Sequence, residues 1–523
     1  MYDIIIKNGT LFKGDNQLAQ KNDLGIKDGR IVFIGDLKNE KAKTEINAES
    51  KFVAPGFIDI HNDADHSLNL LFSSSAENLI RQGVTTAIGG NCGASLAPLI
   101  SGSLDYIKRW SDFGDINVNW RSVKDFFDNL DKRKIGINFG MLIGWGTLRT
   151  EFSKGEFRNL TKEEMEKLKL LIKKSLAEGA LGVSFGLGYP AEKGVGKKEI
   201  LAIGELVKNK GGYLSFHLRD SSENFLASVN EIFEISKEGN LSVEISHFKA
   251  EGRENSNLLE GIIETLSNHN ESEELINLDI SPYNSEVQAI YSVLPEWVAV
   301  GGRKVFLKNI TGEDTRKKII QDLKKKKYLY KKFLITDSGR QWWFSGKSLE
   351  EISKSFNLSP EESLLKVAEV CDEKIIIFGE NIYQEDIDKI IENPYSFICT
   401  NGEFYNPNKS AWFHPKLFGT FPRFLERYVK EKELLSWEEA IFKITGKVAK
   451  KIGLRDRGLI KENYFADVVI FNPEKIKDKT TIKNPLQYPE GIETVIINGN
   501  LAYYKGVLSS QRYGKTIRRL ADK

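Results

Sequence analysis

Cysteine and histidine are scarce in this chain, three of one and six of the other in 523 residues. Three cysteines, Cys92, Cys371 and Cys399, are too few and too odd in number for a disulfide framework, and they point to a reducing compartment. No excess of charge is present either. Lys plus Arg is 75 against 73 for Asp plus Glu, a net charge of +2, which gives no case for a nucleic-acid partner. The one local basic run, Lys324 to Lys327 followed by Lys331 and Lys332, reads as a solvated helix face. No uncharged apolar run reaches about 18 residues, and the start Met1-Tyr2-Asp3-Ile4 shows no basic region, apolar core and small-residue cleavage site in succession. These absences lead us to expect a soluble, cytoplasmic chain with no membrane partner; they say nothing about oligomeric state.

What is present is alternation. The first 55 or so residues alternate apolar and polar and are punctuated by Asn8-Gly9 and Asp28-Gly29, hairpin dipeptides that tolerate positive φ. The same texture returns in Ala466 to Phe471 and in Val495 to Asn500, so residues 1–56 and 454–523 are expected to pair into one β-sandwich. Between them eight strand-like runs, at 57–63, 85–91, 136–144, 181–187, 213–219, 242–248, 276–283 and 396–402, are separated by helical stretches with capping boxes at Thr161/Glu164 and Ser436/Glu439. This is an α/β pattern, and it predicts a (β/α)8 TIM barrel over 57–453. The gap from the seventh run to the eighth is too long for one crossover, so an insertion is expected at about 285–350. It carries Trp297, Trp342 and Trp343, which fit either a lid over the site or a private hydrophobic core.

Catalytic side chains of such a barrel sit at the C-terminal ends of its strands. Four of the runs end on His61, Cys92, His217 and His247, and Asp63 and Asn401 lie at the ends of the first and eighth. Zinc takes thiolate and imidazole, and a catalytic site leaves one position open for water. Cys92, His217 and His247 are a sufficient three-ligand set. A buried cysteine alone is ordinarily an apolar filler and a lone strand histidine a core residue, but three together at the ends of strands two, five and six point to a metal.

Ala54-Pro55-Gly56-Phe57-Ile58-Asp59-Ile60-His61, Gln82-Gly83-Val84-Thr85-Thr86, Gly90-Asn91-Cys92-Gly93 and Gly419-Thr420-Phe421-Pro422-Arg423 resemble the N-acyl-D-amino-acid deacylases (D-aminoacylases) of the amidohydrolase superfamily. Gly179 to Gly182, Gly188-Tyr189-Pro190, Gly458 and Ala466-Asp467 extend the likeness over nearly the whole chain. The resemblance implies a barrel flanked by a β-sandwich, with zinc held by Cys92, His217 and His247. Hydantoinases and dihydropyrimidinases resemble the ends and first strand, but they usually bridge two metals with a lysine on strand four, where this chain reads Leu181-Gly182-Val183-Ser184-Phe185-Gly186.

The sequence departs from that family at two places. The first strand ends His61-Asn62-Asp63 where the superfamily has His-x-His, and the eighth ends Thr400-Asn401-Gly402 where the deacylases have Ser-Asp-Gly. Asn401 cannot take a proton from water or return one to a leaving amine. Two readings stand: the base is lost, leaving a weak catalyst or a zinc-binding pseudoenzyme, or Asp63 on the neighbouring first strand has taken its place, with Asp65 as fallback. Trp145 stands where relatives often have His. The resemblance further implies that Lys249, Tyr283 and, after His414-Pro415, Lys416 grip a substrate carboxylate, with Lys416 in place of an arginine fork. The expected activity is zinc-dependent hydrolysis of small N-acylated D-amino acids, with related amidohydrolysis of cyclic amides or D-dipeptides as the alternative. One zinc is expected to be tight, and a second, near His61 and Asp63, weak or absent.

Overall fold

Strand and turn signals at the two chain ends become two sheets. In the computed structural model, which describes residues 1–101, 104, 106–107, 116–153, 158–189, 191–271, 273–299, 303–325, 332–337, 341–371, 376–379, 382–408 and 413–519, Tyr2–Lys7 pairs with Asp23–Lys27 and Ala42–Asn47, and Arg30–Gly35 adds an edge. Asp28 and Gly29 both take positive φ, 51° and 79°, as a two-residue hairpin turn requires. In the other sheet Val468–Phe471 lies antiparallel between Phe52–Pro55 and Ile492–Ile497, so the far end of the chain pairs with the near end. Ile4, Ile6, Leu24 and Ile26 of the first sheet share one core with Leu11, Val53, Val468 and Ile496 of the second.

The central alternation forms a barrel of the α/β TIM type. Its strands, numbered one to eight below, are Phe57–Asp59, Val84–Gly89, Asn138–Met141 continued by Ile143–Gly144, Gly182–Gly186, Tyr213–His217, Val243–Ile245, Ile276–Ile280 and Ser396–Ile398, each parallel to the next. Strand three reaches strand four through Ile143–Gly144. The ring closes just past strands eight and one, where Asn62 and Gly402 bridge in parallel, Asn401 N–H donates to the His61 carbonyl (2.9 Å) and Asp63 N–H to the Gly402 carbonyl (2.6 Å). Strands covered on both faces read as continuous apolar or small runs, and Val84–Gly89 and Gly182–Gly186 are buried throughout. The Thr161/Glu164 and Ser436/Glu439 boxes both form, each satisfying amides of a first helical turn.

Between strands seven and eight a separate unit builds its own antiparallel sheet from Glu286–Ala289, Leu334–Asp337 and Ile376–Gly379. Its helices include Arg303–Thr311, Glu313–Lys325, Leu349–Phe356 and Pro360–Cys371, around a core containing Ile290, Phe306, Ile319, Phe333 and Leu364. The unit therefore runs to Gly379, past the end expected near 350. Leu349–Phe356 and Pro360–Cys371 lie at or beyond that expected end, which fell short because helical periodicity reveals an apolar face without revealing which core covers it. Trp297 packs against this private core and its Nε1–H donates to Asp322 (3.4 Å), whereas Trp343 is exposed. The Trp342 side chain and residues Pro190, Lys326, Lys327 and Lys331 lie outside the described residues. Among the described residues no helix is long and apolar enough to cross a membrane.

A buried polar knot fastens the chain ends to the barrel. Asp467 accepts from Asn498 N–H (2.8 Å) and from Asn138 Nδ2–H of strand three (3.1 Å), and it pairs with Arg457, which also donates to Asn498 Oδ1 (2.7 Å). Removing one partner of a buried pair strands the other, which costs about 3–5 kcal/mol. Asp467→Ala is therefore expected to lower the urea midpoint by that much stability, followed by tryptophan fluorescence; an unchanged midpoint contradicts the knot's structural role.

Candidate metal centre

The centre is assembled from strand ends with unusual backbone. Cys92 follows strand two in a turn where Gly90, Cys92 and Gly93 all have positive φ, 75°, 52° and 75°. A Cβ on Gly90 would lie 2.0 Å from the Leu142 carbonyl oxygen, so only glycine fits there. Ser184 of strand four pins the turn, its hydroxyl donating to the Gly90 carbonyl and accepting from Gly93 N–H (3.1 Å). His217 ends strand five. His247, just past strand six, has φ 36°, and its N–H donates to Asp279 Oδ1 of strand seven (2.7 Å). Asn401 (φ 41°) adds a third non-glycine residue in the left-handed region, and such strain concentrates at sites that over-determine it.

These turns bring Cys92 Sγ to 3.4 Å from His247 Nε2 and 3.8 Å from His217 Nδ1, with the two nitrogens 2.8 Å apart. The three donors lie within 4.8 Å of one another, a thiol and two imidazoles that suit zinc. His61 Nε2 stands 3.6 Å from the same sulfur, and its Nδ1–H points at Asp279 Oδ2 (3.1 Å). Asp63 Oδ1 lies 3.7 Å from His61 Nε2 and 3.2 Å from His66 Nδ1. With its amide turned to suit its neighbours, Asn401 donates to Asp63 Oδ2 (3.0 Å) and accepts from Lys416 Nζ (3.3 Å). Asp65 is buried and accepts from Gly90 N–H at Oδ2 (2.8 Å).

Burial and neighbouring charge set opposite trends around the ring. Burial opposes charging His61, yet Asp279 and the Cys92 sulfur hold its imidazole well above the usual histidine range. His247 is driven the other way by burial and by its neighbours His217, Lys249, His61 and Lys416. Burial also raises the Cys92 thiol.

Residues 409–503 match the model of an amidohydrolase family. A D-aminoacylase from Alcaligenes xylosoxydans xylosoxydans is 29% identical over 99% of this chain and 98% of its own length. The crystal structure of an N-acyl-D-glutamate deacylase from Bordetella bronchiseptica, complexed with zinc and a phosphonate mimic of the tetrahedral intermediate, superposes with a TM-score of 0.84 at 25% identity, covering 99% of each chain. The chain is a homologue of the N-acyl-D-amino-acid deacylases. A D-aminoacylase structure concerned with a binuclear metal centre, with one-metal activation and second-metal attenuation, has a TM-score of 0.82 at 27% identity, covering 99% of this chain and all of the other.

Against this deacylase frame, the residues singled out in the sequence divide into two groups. Cys92, His217, His247, His61, Asp63, Asn401 and Lys416 form one connected set, and Lys249 joins it through Glu286, which lies 3.8 Å from Lys249 Nζ and 3.7 Å from Lys416 Nζ. Tyr283 is engaged elsewhere: its hydroxyl donates to Asp478 Oδ2 (2.8 Å), and Arg423 lies over its ring. Trp145 is fully buried, donates to Glu199 (2.7 Å) and packs on Phe185, forming a layer behind strand four. Three residues escaped the sequence reading. Asp279 left a signal, an acid inside the apolar run Ile276–Ile280; His66 left another, close to His61, Asp63 and Asp65; Glu286 left none.

Because the raised Cys92 thiol must lose its proton to bind metal, apparent zinc affinity is expected to climb roughly tenfold per pH unit from pH 6 to 8. Chelator competition measures this, and Cys92→Ala should abolish the tight site. A flat pH profile, or unchanged zinc content in the variant, refutes the ligand assignment.

Proposed function

We propose that this chain hydrolyses the amide bond of N-acyl-D-amino acids, releasing a carboxylate and a free D-amino acid, with zinc held by Cys92, His217 and His247. One observation carries the reading: a thiol and two imidazoles converge within 4.8 Å at the strand ends of a chain that matches a D-aminoacylase over 99% of its residues. A zinc ion held there supplies Lewis-acid polarisation of the amide carbonyl and lowers the pKa of water. A single tight metal suffices, and His61 with Asp63 offers at most a weaker second position.

The remaining chemistry belongs to the side chains. Asp63 is the general base: it is a quarter exposed, beside His61 and His66, and can take a proton from water and pass it to the leaving nitrogen. Asn401 acts as its holder, the amide nitrogen facing Asp63 because Lys416 occupies the oxygen. Asp65 suits the role poorly, since it is 1% exposed and tied to the Cys92 turn. Lys249 and Lys416 orient the substrate carboxylate, and Tyr283 shapes the wall behind them. The same proposal includes the division into a β-sandwich from 1–56 and 454–523 around a barrel spanning 57–453, and a cytoplasmic location.

Turnover is expected for D- over L-substrates and to fall when the substrate carboxylate is esterified; equal rates for both enantiomers contradict the proposal. Asp63→Asn should cut kcat by about 10² to 10⁴ with zinc retained. Asn401→Asp should also slow the enzyme, because it sets two carboxylates in contact at the present 3.0 Å spacing. If instead Asp63→Asn is tolerated and Asn401→Asp is faster at matched zinc content, the base has been lost from strand eight without replacement.

A further inference from the structure

Between the barrel and the inserted unit lies a buried imidazole that the chemistry proposed above does not use. His414 is 2% exposed. Its ring meets Tyr283 edge-on (centroids 5.5 Å apart, 85°) on the barrel side and Phe378 of the inserted unit (5.1 Å) on the other. The two ring nitrogens face different elements. Nδ1 lies 2.9 Å from the backbone nitrogen of Lys416, and Nε2 lies 3.1 Å from Ser285 Oγ. An amide N–H can only donate, so Nδ1 is the acceptor and the ring proton sits on Nε2, which donates to Ser285. Burial first, and then Lys416, hold this imidazole well below the usual histidine range, so the ring is neutral and its tautomer fixed.

Lys416 opens the helix Lys416–Phe424, and the first amides of a helix have no partner within it. Pro415, at the capping position, supplies no side-chain acceptor, and His414 supplies one in its place. Ser285 immediately precedes Glu286–Ala289, the first strand of the inserted unit. We propose that His414 is a positioning residue for recognition of the substrate carboxylate: one neutral ring fixes the backbone of Lys416 and, through Ser285, seats the first strand of the inserted unit beside it. This rests on the activity and on the carboxylate-binding role of Lys416 proposed above. A lysine carries its charge on a flexible four-carbon stem, so fixing its backbone removes freedom that carboxylate binding would otherwise have to restrict. Lys416 Nζ is thereby held where it meets the Asn401 amide (3.3 Å) and Glu286 (3.7 Å). The ring itself takes no part in proton transfer.

The test measures kcat and KM of the zinc-loaded enzyme for whichever of N-acetyl-D-methionine, N-acetyl-D-lysine and N-acetyl-D-glutamate the wild type turns over fastest, and for its α-methyl ester. His414→Leu, which removes both hydrogen bonds, should raise KM for the free acid about tenfold with kcat within about twofold. The acid-to-ester ratio of kcat/KM should fall by a similar factor. His414→Asn should recover most of that loss, because an asparagine side chain accepts from the amide two residues on. Ser285→Ala alone should raise KM by a smaller factor and should add nothing in His414→Leu, since its effect passes through the ring. Because the acid-to-ester ratio is read within one protein, partial loss of folded enzyme leaves it unmoved. A fall in kcat at constant KM, equal losses on acid and ester, or additive effects of the two substitutions overturn the positioning role while leaving the deacylase reading intact. If His414→Leu does not fold, an unmoved ratio in Ser285→Ala overturns it by itself. No turnover of any of the three acids by the wild type overturns both readings.

Discussion

The carboxylate of Asp279 is the interaction on which the centre depends. From strand seven it accepts from His61 Nδ1 after strand one, from the His247 backbone after strand six and from the Cys399 thiol at strand eight. A fully buried carboxylate is costly, and burial alone would raise its pKa; His61 outweighs that and holds Asp279 below the usual range. Its neighbour Glu244 is pushed well above the usual range, chiefly by burial and then by Asp279. The result is one fixed anion that orients the imidazole of one candidate ligand and the left-handed backbone of another, the arrangement by which supporting hydrogen bonds tune a metal site.

Around this anion the rest of the chemistry is arranged by charge neutralisation. Lys416 joins two neighbourhoods, donating to the Asn401 amide on one side and facing Glu286 on the other. The amide direction at Asn401, and with it the hydrogen bond offered to Asp63, is a consequence of that lysine. An aspartate at 401 would be attracted by Lys416 but repelled by Asp63, so the residues at the ends of strands one and eight are physically interdependent. The ring closure that sets them side by side includes the Asn62–Gly402 bridge, two backbone hydrogen bonds and the bonds from Thr400 to Asp59.

The inserted unit contributes differently. Its core is separate from that of the barrel, with Ile290, Phe306 and Phe333 packed among themselves, so it can vary without disturbing strand packing. Among the described residues its first strand reaches the site through Glu286, and Phe378 of its last strand packs on His414. Tyr283 shows the opposite connection, since its hydroxyl is held by Asp478 and Thr480 from the C-terminal segment. The C-terminal segment thus packs on the loop after strand seven as well as completing the terminal sheets.

The eight barrel strands and the pairing of the chain ends were legible because both are local signals: buried parallel strands read as apolar runs, and hairpin dipeptides mark turns. Cys92, His217 and His247 were legible because strand ends are where a parallel barrel exposes side chains. The far limit of the insertion was not, since Leu349–Phe356 and Pro360–Cys371 have the same period whichever core they cover. Nor was the direction of Tyr283, the support from Asp279, or the meeting of Lys249 and Lys416 at Glu286. Each joins residues far apart in sequence, Tyr283 with Asp478 and Lys416 with Glu286, and such contacts exist only once the ring has closed. The sequence by itself determined the barrel's strands and which side chains stand at their ends. Tertiary structure alone decided which charges face one another, because periodicity specifies a face of an element and closure specifies its neighbour.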